Sequence, residues 1–424
     1  GYLSDKSVTI AEVLKDAGYS TLISGKWHVG ENRPNWPTDR GFDHSFSLIS
    51  GGANYFDITR GKRDDVVRIM EKDGQVYNPP KDGFYMTDAI TENAVDMLEG
   101  AGMSENPFFL YVSYTAPHWP LHALPEDIEK YRGKYMKGWD DIRQKRYQRQ
   151  IEMGLFDEEN CPLTPRDKDA PAWKDVENKE QMDLKMAVYA AQIDRMDQGI
   201  GKILDKLKQI GLDENTLIIF LSDNGACAQG GPFGRDWREN GLPAGGVDSY
   251  QSYGFSWANA SNTPFRYYKM WTHEGGVATP LIATWPAQIK KHGVFTEHQG
   301  HIVDLMATFC DVAGVEYPKT YNNKPVTALE GESLLPVFKG EPADIHENLF
   351  WYHLGHRAVR QGKWKLVALN GEEWELYDLD TDRSESNNLA NLYPEKITEL
   401  EKLHDQWAEK CGVYDFEEGQ DLGW

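Results

Sequence analysis

Four residues in three separate stretches of the sequence have side chains suited to binding an anion and moving a proton. Lys26 and His28 lie two positions apart in GKWHVG, His118 lies in TAPHWP, and Lys269 lies in NTPFRYYK. Fixed cations that face one point suit a tetrahedral oxyanion, and histidines, which titrate near neutrality, suit proton transfer to a leaving group. Taken alone, Lys26, His28 and His118 are each more simply interpreted as residues of a solvated loop.

A candidate site for a hard cation follows the apolar run LIIFLS. Asp223, Asn224 and Gly225 come next in the sequence. Asn-Gly after a strand is a common hairpin turn, whereas carboxylate and amide oxygens are typical ligands of Ca²⁺. The residues that follow, 226–232, contain no alternating apolar partner strand for a hairpin. Spacing alone leaves both interpretations open.

The segment 261–276 combines two cations, a histidine and a carboxylate just before another apolar run. Arg266, Lys269, His273 and Glu274 lie in it, and Gly-Gly ends it. The segment is either part of a site or a polar loop in which Arg266 and Glu274 pair with each other. No GxSxG motif, HExxH motif or glycine-rich phosphate loop occurs in the sequence, so the set of candidate residues lacks a nucleophile.

A repeated pattern of helix, glycine and strand would bring these residues together. It predicts helix Val8–Ala17 with strand Ser20–Ser24, helix Thr87–Leu98 with strand Phe108–Tyr114, and a helix over 193–207 with strand Leu217–Ser222. Alternating helices and strands indicate a parallel sheet. Ligands of such sheets bind beyond the carboxyl ends of the strands. Lys26, His28, His118, Asp223 and Asn224 all fall at that edge.

The remaining sequence predicts an extension of this layer, an insertion and a second, smaller domain. Pro280–Trp285 is predicted as a buried strand and Ile302–Ala313 as a helix, while residues 120–180, charged and rich in Trp and Tyr, form a long insertion at the sheet edge. The predicted C-terminal elements are strands Leu349–Leu354, Ala358–Leu369 and Trp374–Leu379, with tight turns such as Gln361-Gly362, and helix Pro394–Lys410. We therefore predict a catalytic domain over 1–343 and an antiparallel sheet with a helix over 344–424.

Composition and charge disfavour several classes of partner and site. The 424 residues include 45 Lys and Arg and 67 Asp and Glu, a net charge of 45 − 67 = −22, which disfavours nucleic acids and anionic membranes. Four widely spaced cysteines without a CxxC pair suggest neither a zinc site nor a disulfide scaffold. No apolar run approaches the ~20 residues of a membrane span.

Several motifs, in order, resemble those of one family. GKWHVG, RGFD at Arg40–Asp43, APH ending at His118, LSDNGA and NTPFRYYK…HEGG resemble the type I sulfatases of the alkaline-phosphatase-like superfamily. ELYDL at Glu375–Leu379 is similar to the C-terminal signature of that family, and residues 131–150 resemble its arylsulfatase branch. The resemblance implies an α/β fold, a mostly parallel sheet sandwiched by helices, followed by a small C-terminal antiparallel sheet with a helix.

The resemblance also implies roles for the candidate residues. Lys26 and Lys269 would hold sulfate oxygens, and His118, together with Lys269, would donate a proton to the leaving oxygen. His28 would take a proton from the nucleophile. Asp223 and Asn224 would be two ligands of an active-site Ca²⁺.

The nucleophile of the family is a formylglycine made from Cys or Ser in a C/S-x-P/A-x-R motif. Cys161, Cys227, Cys310 and Cys411 all lack the following x-Pro-x-Arg. By comparison with the family, the motif, the first strand and two aspartate ligands would lie upstream of Gly1, in roughly 100 further residues. We therefore expect this chain alone to lack sulfatase activity and to have exposed apolar strand edges.

Three functions remain open at this point. The first is hydrolysis of sulfate esters, with a sulfated small molecule or sugar as substrate. The alternatives are a phosphate mono- or diesterase on the same fold, which normally needs a two-metal zinc site, and a non-catalytic binder of sulfated ligands. The aromatic segment 245–257 either stacks on a sugar or aryl ring or packs on the domain surface. The resemblance implies a periplasmic or secreted protein.

Overall fold

The computed structural model describes residues 1–63, 68–341, 343 and 346–413. Its helices are α1 Ile10–Asp16, α2 Met86–Gly102, α3 Pro125–Glu129, α4 Gly138–Glu152, α5 Lys179–Gln209, α6 Gly254–Ser261, α7 Glu274–Val277, α8 Asp304–Ala313, α9 Leu335–Phe338 and α10 Pro394–Cys411. Its strands are β1 Ser20–Lys26, β2 His44–Leu48, β3 Met70–Lys72, β4 Gln75–Tyr77, β5 Phe108–Ser113, β6 Ile218–Leu221, β7 Leu281–Thr284, β8 Thr320–Tyr321, β9 Lys324–Pro325, β10 Asn348–His353, β11 His356–Gln361, β12 Trp364–Ala368 and β13 Glu375–Asp378.

The main sheet has the strand order β4-β3-β2-β1-β5. Strand β1 is parallel to both β2 and β5, and the edge strands β3 and β4 are antiparallel additions. Successive side chains of β1 point to opposite faces of the sheet. Ile23 packs against Ala11 of α1, and the Ser24 hydroxyl donates to the Ile90 carbonyl oxygen of α2. Helices therefore cover both faces, which confirms the predicted α/β layer arrangement.

The predicted helices are present, with different bounds. Thr9 caps α1: its hydroxyl accepts from the Glu12 backbone N–H, and the Glu12 carboxylate accepts from the Thr9 N–H. Helix α5 begins at Lys179, well before the predicted start, because buried residues such as Met182 and Val188 continue its apolar face. The proposed insertion over 120–180 contains α3 and α4, and α3 packs on α5.

Strands β6 and β7 correct one prediction. They pair antiparallel with each other, and in the described part of the chain neither is hydrogen-bonded to the five-stranded sheet. Strand β7 was predicted to be buried, yet Ile282 is 61% exposed and Phe220 of β6 is 42% exposed. Both residues line a cleft of about 4420 Å³ that also borders β5, whose Tyr111 is 48% exposed. The apolar pattern of β7 was thus correct for a strand, but no further layer formed by the described residues covers it.

The C-terminal sheet is antiparallel in the order β10-β11-β12-β13, as predicted. The Gln361-Gly362 turn divides the predicted segment Ala358–Leu369 into β11 and β12. Leu400 of α10 packs with Leu366 and Leu376 on one face of the sheet. The proposed domain boundary near Asp344 falls outside the described residues and stays a prediction. No helix in the described ranges is long and apolar enough to cross a membrane.

Candidate active site

Lys26 is the last residue of β1 and is fixed by a close approach between strands. A β-carbon on Gly25, whose φ is +133°, would lie 2.1 Å from the Ser113 carbonyl oxygen, so only glycine fits there. The Ser113 hydroxyl in turn donates to the Lys26 carbonyl oxygen at 2.7 Å. The sequence Gly25-Lys26 therefore holds the lysine backbone against the end of β5.

His28 has a left-handed backbone, with φ of 55°, which is uncommon for a residue with a side chain. Its backbone N–H donates to the Ile49 carbonyl oxygen, which fixes it beside the end of β2. Its ring packs over Gly51, where a β-carbon would lie 2.7 Å from Nε2. The strained backbone and the missing side chain at Gly51 together orient the imidazole.

His118 lies in the turn that follows β5. Its Nδ1 donates to the Trp119 carbonyl oxygen at 2.7 Å, and its own carbonyl oxygen accepts from the Tyr55 hydroxyl at 2.9 Å. Because Nδ1 is already hydrogen-bonded, Nε2 is the ring nitrogen left to contact a ligand.

Asp223 and Asn224 follow β6, and the next residues do not form a hairpin. The Gly225 N–H donates to the Gly276 carbonyl oxygen at 3.0 Å. No strand begins among the described residues until β7, so the hairpin interpretation is wrong. The turn instead connects the end of β6 to the segment that contains Lys269.

Lys269 is tied to the same turn. Its backbone N–H donates to the Ala226 carbonyl oxygen at 3.1 Å, and the Ala226 N–H donates to the Asn262 side-chain oxygen at 2.9 Å. The flanking residues Tyr267 and Met270 both have positive φ angles, 62° and 89°. Such conformations cost about 1–3 kcal/mol each and persist only where surrounding contacts impose them.

Arg266 and Glu274 do not pair with each other, which was one interpretation of this segment. The Arg266 Nη2 atom lies 3.2 Å from a Glu375 carboxylate oxygen, and the Glu274 carboxylate lies 2.7 Å from the Lys365 ammonium. Both partners belong to the C-terminal sheet, about a hundred residues further along the chain. The short spacing between Arg266 and Glu274 in the sequence could not indicate these partners.

All six candidate residues line the one cleft, and their charges act on each other. Burial and then the charge of Lys269 lower the pKa of Lys26, while the Asp223 carboxylate partly opposes them. Within the described residues, neither the Lys26 nor the Lys269 ammonium forms an ion pair. Two neighbouring cations without a partner form a site that an anion would stabilise.

The two histidines are less basic than their sequence suggested. Burial and then the charge of Lys269 lower the pKa of His118 to about 3. Burial and then the charge of Lys26 lower the pKa of His28. We expected residues that titrate near neutrality, but burial and then the charges of the lysines favour the neutral imidazole. In the absence of an anion, His118 is uncharged at pH 7.

Arg68 is a third cation at this site that the motifs did not reveal. Arg68 is followed in the sequence by Ile69, whose carbonyl oxygen accepts from the Ile49 N–H. This hydrogen bond places Arg68 next to the end of β2. Its charge lowers the pKa of both Lys26 and His28. Its Nε is buried and has no hydrogen-bond partner among the described residues. The signal in the sequence that could have identified Arg68 is its position just before β3, and a strand of three residues is too short to predict.

Asp223 and Asn224 do not form a calcium site by themselves. The amide nitrogen of Asn224 donates to the Gly225 carbonyl oxygen, which leaves its Oδ1 and the Asp223 carboxylate as ligands. Ca²⁺ takes six to eight oxygens, and the described ranges contain no group of three or more acidic, histidine or cysteine side chains placed so that they could hold a metal ion. The donor chemistry suits a hard cation, but the number of donors is too small.

Cys227 is a thiol in the same cleft and is a poor nucleophile. Burial raises its pKa, although the charge of Lys269 partly opposes this effect. A thiol with a raised pKa supplies little thiolate at neutral pH.

Two family models match the chain. The model described as "Sulfatase" matches residues 1–315, and the model "N-sulphoglucosamine sulphohydrolase, C-terminal" matches residues 265–410. The chain belongs to the sulfatase family. The family consists of sulfuric ester hydrolases with the alkaline-phosphatase-like fold, so the resemblance seen in the motifs is confirmed.

Individual sulfatases extend this assignment over most of the chain. An uncharacterized sulfatase of Schizosaccharomyces pombe is 34% identical over 428 residues, covering 94% of this chain and 76% of the relative. An arylsulfatase of Klebsiella aerogenes is 34% identical over 346 residues, covering 79% of this chain and 74% of the relative. The crystal structure of Ps i-CgsB in complex with k-i-k-neocarrahexaose has a TM-score of 0.64 at 24% identity, covering 97% of this chain and 75% of that structure.

Proposed function

We propose that Lys26 and Lys269 bind the oxygens of a sulfate ester and stabilise negative charge during its hydrolysis. The observation that supports this role is the pair of ammonium groups in one cleft, neither of which has a counterion within the described residues. Preorganised charges of this kind stabilise a transition state without rearrangement at the moment of reaction. Arg68 adds to the positive potential of the same region.

His118 would donate the proton to the leaving oxygen. The neutral ring cannot donate from Nε2, because its proton is on the Nδ1 that donates to the Trp119 carbonyl oxygen. A bound sulfate would offset the charges of Lys269 and Lys26, which lower the His118 pKa. Anion binding would therefore protonate Nε2, so that the acid forms only when the substrate is present. His28 would take the proton released on the side of the nucleophile.

The nucleophile would be a formylglycine supplied by polypeptide outside residues 1–424. The apolar cleft between β5 and β6 supports this proposal, because it separates two strand edges that have no partner within the described residues and that lie next to the candidate residues. A strand carrying the nucleophile between them would complete the sheet. We propose that residues 1–424 alone bind sulfate but do not turn over an ester.

Asp223 and Asn224 would contribute two oxygens to a Ca²⁺ site whose other ligands come with that segment. The ion would supply positive charge near the sulfate. Without the additional ligands, we expect Ca²⁺ to bind these two residues only weakly.

The substrate would be a sulfated sugar or a sulfated aryl compound. Similarity to the Klebsiella aerogenes arylsulfatase and to a structure that binds neocarrahexaose supports these two classes. The motifs that resemble sulfatases also support export to the periplasm or outside the cell. No observation on the site favours a phosphate esterase, and the family match argues against it.

Isothermal titration of residues 1–424 with inorganic sulfate, and assay with an aryl sulfate, test the proposal. We expect sulfate to bind, and Lys26→Met or Lys269→Met to weaken binding by roughly tenfold or more, the loss of one hydrogen-bonded charge. The control is Lys363→Met, which removes an exposed lysine paired with Asp378. Sulfate affinity that does not depend on Lys26 or Lys269 would refute the role in binding. Turnover by the pure chain would refute the need for a further segment.

A further inference from the structure

The C-terminal sheet reaches the candidate site through a fully buried lysine. Lys365 of β12 is 0% exposed, and its Nζ lies 2.7 Å from Glu274 Oε1 and 2.8 Å from Glu385 Oε1. Burying an unpaired ammonium would cost several kcal/mol, so both carboxylates are needed to keep it charged. Lys365 thus joins two segments that are more than a hundred residues apart in sequence.

Glu274 is held from several sides. Its second carboxylate oxygen accepts from Arg383 Nε at 3.1 Å, and its backbone N–H donates to the Glu385 carboxylate at 2.8 Å. Burial alone would raise the pKa of Glu274, but the charges of Lys365 and Arg383 lower it overall. The start of α7 is therefore fixed by ionised groups that belong to the C-terminal part of the chain.

Residues 266–273, which we call the Lys269 loop, directly precede Glu274. The first and last residues of this loop are also fixed by the C-terminal sheet. Arg266 Nη2 and His273 Nε2 lie 3.2 Å and 3.0 Å from the same oxygen of Glu375, and the Tyr377 hydroxyl donates to it at 2.7 Å. Both ends of the loop are thus attached to β12, β13 and the residues after β13, and Lys269 lies between the two attachments.

The attachments continue to the residues around Lys269. Gly275 follows Glu274, and the Gly275 carbonyl oxygen accepts from the side-chain amide of Asn262 at 2.7 Å. The same amide donates to the Tyr267 carbonyl oxygen at 2.9 Å. A displacement of Glu274 would therefore move the strained Tyr267 backbone. The strain at Tyr267 and Met270 needs such restraints to persist.

We propose that Lys365 and Glu375 are positioning residues that hold the Lys269 loop so that its ammonium points at the bound anion. This inference rests on the proposed role of Lys269 in sulfate binding. Buried ion pairs rarely stabilise a fold more than apolar residues of the same volume. Their directional contacts do fix the orientation of two surfaces, which is the property that a site built between them requires.

A double-mutant cycle on sulfate affinity tests whether Lys365 acts through Lys269. Lys365→Met should weaken sulfate binding by roughly tenfold in the wild-type background and by less than twofold in a Lys269→Met background, because coupled residues are not additive. Lys363→Met, in the turn just before β12, is the matched control and should change neither affinity. Equal losses in both backgrounds would show a general structural role and overturn the proposal.

Glu375→Gln gives a second test that does not require Lys365 to be removed. Glu375 is 27% exposed, so the amide should be tolerated even if Lys365→Met does not fold. We expect faster hydrogen–deuterium exchange in residues 266–273 and unchanged exchange in α10. This readout does not involve sulfate, so it separates failure of the positioning role from failure of the proposed function. Unchanged exchange in the loop would overturn the proposal.

Discussion

Gly225 and Gly275 approach so closely that a β-carbon on Gly225 would lie 1.8 Å from the Gly275 carbonyl oxygen. This contact brings the turn after β6 against the segment that contains Lys269. Gly225→Ala should therefore separate the two segments and destabilise the fold by about 2 kcal/mol or more. Thermal unfolding and sulfate titration would measure both effects.

The matched control for this substitution is Gly201→Ala in α5. A β-carbon at Gly201 would meet nothing within 4 Å, so alanine should stabilise the helix by up to about 1 kcal/mol. If Gly225→Ala unfolds at the same temperature as the wild type, the close approach at Gly225 does not restrain the site.

His118 should titrate far below the ordinary range of histidine. We expect NMR of its ring to report a pKa of about 3 in sulfate-free protein and a higher pKa with sulfate bound. Between the ordinary value of 6.5 and about 3, the unfolded chain takes up a proton that the folded chain does not. This residue therefore lowers stability as pH falls, by at most about 1.4 kcal/mol per pH unit.

His118→Asn should make the stability of the sulfate-free chain less dependent on pH in that window. Urea unfolding at pH 7 and pH 5 measures the difference between the two proteins. A His118 ring that titrates near 6.5 without sulfate would contradict the effect of burial and of the lysine charges described above.

Lys269 should affect the pKa of Lys26 more strongly than Arg68 does, and Arg68 should affect the pKa of His28 more strongly than Lys269 does. Lys269→Met should thus raise the Lys26 pKa more, and Arg68→Leu should raise the His28 pKa more. Competitive acylation of Lys26 and NMR of His28 would measure the two values, and a reversed order would show that Arg68 faces elsewhere.

Asp223→Asn should strengthen the binding of inorganic sulfate when no metal is present. The Asp223 carboxylate raises the pKa of Lys26, so it lies close enough to repel an anion bound there. We expect a severalfold gain in affinity at low salt, and a smaller gain at high salt because of screening. Asp205→Asn, on the exposed side of α5, is the control for a loss of net charge. A weaker affinity in Asp223→Asn would mean that the carboxylate orients Lys26 rather than opposing the anion.

The parts of the site that sequence could predict are those fixed by local patterns. Lys26, His118 and Asp223 each lie at or just after the end of an apolar strand. The rule that ligands bind beyond the ends of parallel strands therefore predicted from sequence that they lie together. Arg68 could not be found in this way, because it precedes a three-residue strand, β3, that has no apolar signature.

Long-range contacts account for the remaining differences. Arg266 and Glu274 are close in sequence and opposite in charge, yet their partners come from β12 and β13, and no local pattern encodes that pairing. The apolar composition of β7 predicted burial, but burial depends on what covers a strand. Local composition defines an element, whereas its neighbours depend on the whole chain.

The open cleft between β5 and β6 has a consequence for handling the protein. Tyr111, Phe220 and Ile282 present apolar side chains beside backbone groups that can pair with another strand. Edges of this kind template association between molecules, and a net charge of −22 opposes it only while salt is low. The chain should therefore stay monodisperse in dilute buffer and self-associate as ionic strength rises, so the salt concentration of a preparation would determine its shelf life.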